Sequence, residues 1–200
     1  MSVRPPSEEL AAFLRDGDVL QLSASELSVV LETLGTARSS PREALQKTFE
    51  WVRDEIGHSV DRRATRLTCS ARDVLRAGHG LCFAKCHLLV ALLRAQGIAA
   101  GFGYQRLRVR EAPSGFGLHG FVWVHVAEQD RFAALDPRGN NGRVHTVFDL
   151  DTPSLAFVPD PAKGEATSSE VWPEPSPAVV RLLQSGRTVA EALAALPDAP

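Results

Sequence analysis

The chain has 200 residues, 44% of them apolar, and a net charge of −2 with both signs interspersed. That suits one domain with appendages and a real core, and the lack of a long basic run argues against a nucleic-acid partner. No stretch approaches the length that spans a bilayer, and the start, MSVRPPSEELAAFL, lacks the apolar region of a signal peptide, so no membrane association and a cytoplasmic location are expected. Three cysteines, an odd number, argue against a disulfide framework and leave room for a chemically active thiol.

Residues 1–37 read as a helical N-terminal segment. Ser23 and Glu26 fit a capping box before LSVVLETL, and Gly35 fits a helix stop. Ser40, Pro41 and Glu43 give a sharper start, with proline at the first helical position and glutamate three residues after the cap. The helix that follows places Leu45, Phe49, Val52 and Ile56 on one face. Residues 57–69 are polar and irregular. Ser70 and Asp73 cap a short helix, ARDVLRA, that Gly78 ends. A helix then begins near Leu81 and runs to about Gln96. It is apolar on more than one face and is therefore expected to be the central buried helix.

From there the pattern changes. Residues 98–110 read as a strand, 113–117 as a loop, and HGFVWVHVA and RFAALD as two strands around Glu128 and Gln129. Helices first and antiparallel strands afterwards indicate an α+β domain over residues 38–150. Residues 151–200 form a proline-rich irregular segment that ends in two short helical stretches, the last capped by Thr188 and Glu191.

Cys82 sits where the central helix starts. First-turn N–H groups lack intrahelical partners and the helix dipole is positive there, which favours thiolate over thiol. Taken alone, Cys82 reads better as a small buried apolar residue, since buried cysteine is common. A nucleophilic thiol requires a base and a group to orient that base. An even turn between the two strands, of two residues or of four at 127–130, pairs positions whose numbers sum to about 257. His119 then faces position 138, with Asp136 as its diagonal neighbour on the same side of the sheet.

Three blocks in order, GHGLCFAKCHLLVALLRAQGIAAGFGYQRL, LHGFVWVHV and AALDPRGN, resemble the transglutaminase-like superfamily over roughly residues 40–150. FEWVRDEIGHSVD resembles the helix that precedes the family's cysteine. The histidine is followed here by Gly120 and Phe121, with tryptophan later at Trp123, and DPRGN at 136–140 is similar to the signature of a bacterial subgroup. The resemblance implies a papain-like transglutaminase core, a central buried helix packed on an antiparallel sheet. It also implies a thiol hydrolase of the cysteine protease or amidase kind, acting on a peptide or amide substrate without a cofactor. Cys82 would be its nucleophile, His119 its base and acid, and Asp136 the partner of the histidine. Gln105 and Tyr104 are candidate oxyanion donors or packing residues. Arg138 is either a carboxylate-binding group or a salt bridge that holds the loop after Asp136.

Other readings stay open. Transfer of the acyl group to an amine, by a transglutaminase or an amine acyltransferase, differs from hydrolysis only in the acceptor. A triad can survive in a module that only binds peptides. Cys69, His79, Cys82, Cys86 and His87 crowd together but lack the paired spacing of familiar zinc sites, so no metal is expected. His58, His125 and His145 have no evident partner in the sequence.

Overall fold

The computed structural model describes residues 7–200. Ser7–Leu14 is 3₁₀ helical and leads into α1 (Ser25–Leu34). Helix α1 stops as expected, with Gly35 left-handed at φ 64° and its N–H returned to the carbonyls of Glu32 and Leu31. Its start departs from expectation. Ala24 is the N-cap and no side chain caps it. Glu26 instead accepts from both Arg72 and Arg76 at 2.8 Å, because two guanidinium groups make stronger hydrogen bonds to its carboxylate than a capping box offers.

Helix α2 (Pro41–Glu55) starts as its sequence dictates. Ser40 accepts from the Glu43 N–H and the Glu43 carboxylate accepts from the Ser40 N–H, a complete capping box. It buries Leu45, Phe49 and Val52. The irregular stretch that follows holds one short strand, β1 (Gly57–His58). This pairs in parallel with β2 (His79–Gly80), which follows the short helix α3 (Ala71–Ala77). Ser70 caps α3 and Gly78 ends it at φ 68°.

Helix α4 (Cys82–Ala95) is the central element, buried from Cys82 through Arg94. Leu88, Leu89, Leu92 and Leu93 have no exposed surface, and each such side chain stabilises the fold by about 2 kcal/mol. At the far end Arg94 is buried among backbone carbonyls. It donates to Ala100 at 3.0 and 2.8 Å, to Arg15 at 2.7 Å, and to Pro173. It thereby joins the helix to both flanks of the chain.

The sheet is antiparallel in the order β5-β4-β3-β6, built from β3 (Ala100–Arg108), β4 (Phe116–Val126), β5 (Arg131–Leu135) and β6 (Ala166–Thr167). Strand β4 begins at Phe116, so the loop expected at 113–117 is shorter than its composition suggested. Gly103 carries no side chain at the point where Phe121 packs, and a Cβ there would lie 2.4 Å from that ring. The β4–β5 register pairs Val126 with Arg131 and Val122 with Leu135, which requires the four-residue loop at 127–130. Asp130 turns that loop in the left-handed region at φ 45°.

The flanking segments share the core of α4. Leu20, Leu27 and Val30 enter it from one side. From the other come Val179, Leu182 and Leu183 of α5 (Pro177–Leu183), and Val189 and Ala192 of α6 (Val189–Leu193). Thr188 and Glu191 form the capping box expected for α6. The proline-rich stretch before α5 is docked as well: Trp172 exchanges two backbone hydrogen bonds with Phe102 of β3, at 2.8 and 3.0 Å.

Candidate active site

Cys82 is the first residue of α4, and its N-cap, Leu81, supplies no side-chain cap to the first turn. The first-turn N–H groups therefore lack a side-chain cap where Cys82, 9% exposed, begins the helix. His119 lies on β4, directly opposite Gln105 of β3. Asp136 directly follows β5 and is fully buried. The 257 register holds up to the Val122–Leu135 pair, where β5 ends. Just beyond that pair, His119 Nε2 meets Asp136 Oδ2 at 2.8 Å. Cys82 and the same imidazole line one cavity, and the Cys82 charge acts on the ring.

The electrostatics follow from this chain of contacts. The Asp136 carboxylate also accepts from the N–H of Arg138 at 2.9 Å and of Ala156 at 2.8 Å. Burial alone would raise its pKa, yet the charge and hydrogen bonds facing it, His119 foremost, bring it below the ordinary value. Burial likewise works against a charged His119, but Asp136 and then Cys82 outweigh it and raise the imidazole to about 10. His119 is therefore an imidazolium at neutral pH. Phe157 stands edge-on to its ring at 4.9 Å and shields it from water.

The remaining sequence candidates have other partners. The Gln105 amide donates to Phe157 O at 3.2 Å and to Thr167 Oγ1 at 2.9 Å. Both amide donors are thus engaged with the segment that bears Phe157 and with Thr167 of β6. Tyr104 points to the opposite face, as alternation requires. Its ring lies against Phe83 and Trp172, and its hydroxyl accepts the Ser176 N–H at 2.8 Å at the start of α5. Tyr104 is therefore a packing and anchoring residue. Arg138 lines the cavity beside Cys82, with its guanidinium bidentate on Asp61 at 2.5 and 3.2 Å. Of the two roles open to it, the loop-holding ion pair is the one formed.

Several residues escaped sequence reasoning. His58 is 9% exposed and lines the same cavity. Burial, then the nearby Arg138 charge, lowers it to about 3, so it is neutral. Lys85, one turn beyond Cys82, is fully buried and donates to the carbonyls of Arg53 at 3.1 Å, Arg138 at 3.2 Å, and Ile56. Burial and the Arg138 charge pull it down to about 7, against three carbonyl oxygens that favour the ammonium. Its sequence signal was a lysine inside a largely apolar helix. Asp61 and Phe157 come from stretches without a readable pattern.

The cysteine and histidine cluster noted in the sequence does not converge. His87 Nδ1 lies 2.7 Å from the Cys69 carbonyl oxygen, and His79 Nδ1 lies 3.0 Å from Ser59 Oγ. Among the described residues no three His, Cys, Asp or Glu side chains are placed to hold a metal ion. Among the same residues, no helix is long and apolar enough to cross a membrane.

A buried helix that begins with cysteine and packs on an antiparallel sheet carrying histidine and aspartate defines the papain-like transglutaminase fold. Residues 30–137 match the model of the Transglutaminase-like superfamily, and the chain belongs to that family. Comparison with curated proteins returned no match. Among solved structures, the chain superposes on a crystal structure described as that of a putative cysteine protease from Cytophaga hutchinsonii, with a TM-score of 0.53 and 14% identity. The match covers 68% of this chain and 48% of the other, so this chain spans about half that protein's length. At that identity the likeness is one of fold.

Proposed function

We propose that the protein is a cysteine-dependent acyl-transfer enzyme that hydrolyses an amide or peptide bond through Cys82, His119 and Asp136. The observation that carries this reading is the position of His119, held by Asp136 and sharing one cavity with Cys82 at the buried N-terminus of α4. Asp136 and Cys82 keep the imidazole charged, which is the state that donates a proton to a leaving group.

In the reaction the Cys82 thiolate adds to the substrate carbonyl and forms a C–S bond. The oxyanion is stabilised by the Cys82 backbone N–H and the positive end of α4. As the C–N bond breaks, His119 gives its proton to the departing amine, leaving a thioester on Cys82. Neutral His119 then takes a proton from water, whose oxygen attacks the thioester. The C–S bond breaks, the carboxylic acid departs, and the thiolate–imidazolium pair is restored. Asp136 keeps its charge throughout and fixes the ring orientation.

The test is iodoacetamide labelling of the native protein across a pH series, with the modified cysteines mapped by mass spectrometry. Cys82 is expected to react ahead of Cys69 and Cys86, both raised by burial, and His119→Ala to slow that reaction. Equal, slow labelling of all three cysteines in both proteins would overturn the proposal.

A further inference from the structure

Cys82 and His119 open into a cavity of about 320 Å³. Leu81 and Phe83 flank the thiol, Leu107 and Leu118 come from the sheet, Val109 directly follows β3, and Leu193 and Leu196 close the far wall. The charged groups at its edge are already occupied. Arg138 is bidentate on Asp61. Glu165 accepts the N–H groups of Arg108 at 2.9 Å and Asp160 at 2.8 Å. Arg108 holds its guanidinium over the Phe116 ring, 4.7 Å from the centroid. His58 is neutral. An anion placed here would lose water and meet only the exposed Arg108 guanidinium stacked on Phe116, and a cation only a Glu165 carboxylate already held by two N–H groups.

The far wall is built in. A Cβ on Gly117 would lie 2.9 Å from Leu196 Cδ1, so the absence of a side chain at 117 makes room for Leu196. The next residue, Pro197, accepts the Leu118 N–H at 2.8 Å on the edge of β4 that β5 does not reach. Upstream, the Val189 N–H donates to Thr65 O at 2.8 Å. In the thioester the acyl group stays bonded to Cys82 Sγ, and the cavity walls begin at the neighbours of that residue. The acyl group is thus the part of the substrate that the cavity must house.

Building on the thiol-enzyme reading, we infer that the substrate's acyl group carries a large uncharged apolar side chain, and that Leu193 and Leu196 determine this preference from outside the family's matched core. The test labels native protein with N-acetyl aminoacyl chloromethyl ketones bearing a benzyl, carboxyethyl, aminobutyl or hydrogen side chain. In each case Cys82 sulfur displaces chloride. Every rate is divided by the iodoacetamide rate at Cys82 in the same protein. The benzyl probe is expected to exceed the hydrogen probe by about tenfold or more, with both charged probes below it. Leu196→Trp, which fills the cavity, and Leu196→Ala, which removes its wall, should each lower the benzyl ratio. If iodoacetamide does not single out Cys82, the underlying enzyme reading is lost. If it does, but the probes react alike or a charged one leads, the inference on substrate class is overturned and the enzyme reading stands. An unchanged benzyl ratio in both Leu196 variants would overturn the role of that wall.

Discussion

Lys85 donates to the carbonyl oxygen of Arg138 at 3.2 Å, and the N–H of Arg138 donates to Asp136 at 2.9 Å. One buried ammonium thus ties the cysteine helix to the turn that bears the acid, and through Arg53 and Ile56 to the end of α2. Lys85→Met keeps the length of the side chain and removes all three donated bonds. Stability is expected to fall by about 3 kcal/mol, since buried carbonyls lose their donor. Urea unfolding measures this. Cys82 labelling should slow in the same variant, because the Asp136 turn is no longer fixed to α4. An unchanged urea midpoint would show that water takes over the three carbonyls.

The raised His119 value makes stability depend on pH on the alkaline side. Its pKa is 6.5 ordinarily and about 10 when folded, so the folded chain holds a proton that the unfolded chain has released between these limits. The contribution is complete below pH 6.5 and is lost as pH rises toward 10. Urea midpoints of the native protein should therefore decline across that window, and His119→Gln should decline less. His58 acts with the same sign logic on the acid side. Its folded value is about 3 against 6.5, so its contribution is present above pH 6.5 and is lost as pH falls toward 3.

The reach of sequence reasoning followed the range of the forces involved. Ser40, Ser70 and Thr188 were legible as caps because a cap is a contact over three residues. The His119–Asp136 pair was legible because one even turn and strand alternation fix a register. Ser23 was misread because Glu26 is claimed by Arg72 and Arg76, about fifty residues away in the chain. Gln105 and Tyr104 were singled out as oxyanion candidates by their position after the cysteine helix, yet their partners, Phe157, Thr167 and Ser176, come from the unpatterned stretch. The same holds for Leu196, whose seat exists only because Gly117 lies beneath it.

Arg138 offers a paired test of role. Asp61 is 35% exposed at its side chain, so the ion pair is worth about 1 kcal/mol or less. Asp61→Asn and Arg138→Gln should lower the urea midpoint alike and act nearly non-additively in the double variant, as expected for two ends of one contact. A much larger effect of Arg138→Gln on probe labelling, with equal midpoints, would instead assign Arg138 a direct part in binding substrate.

Asp136→Asn separates orientation from charge. The two carboxylate oxygens accept three donors: Arg138 N–H on Oδ1, and His119 Nε2 together with Ala156 N–H on Oδ2. An asparagine offers one oxygen and one NH₂ group, so in either orientation the NH₂ faces a backbone N–H. The less damaging orientation keeps the oxygen toward His119 and Ala156 and leaves the Arg138 N–H unpaired, at a cost of about 1–3 kcal/mol. The imidazolium also loses its counter-charge. Acylation of Cys82 by an amide substrate is expected to fall by roughly 10⁴, the scale seen when a triad carboxylate becomes an amide. The alkaline decline in stability should flatten in the same variant, because it depends on a His119 held charged by Asp136. Loss of acylation with an unchanged pH profile would mean that Asp136 orients the ring without setting its charge.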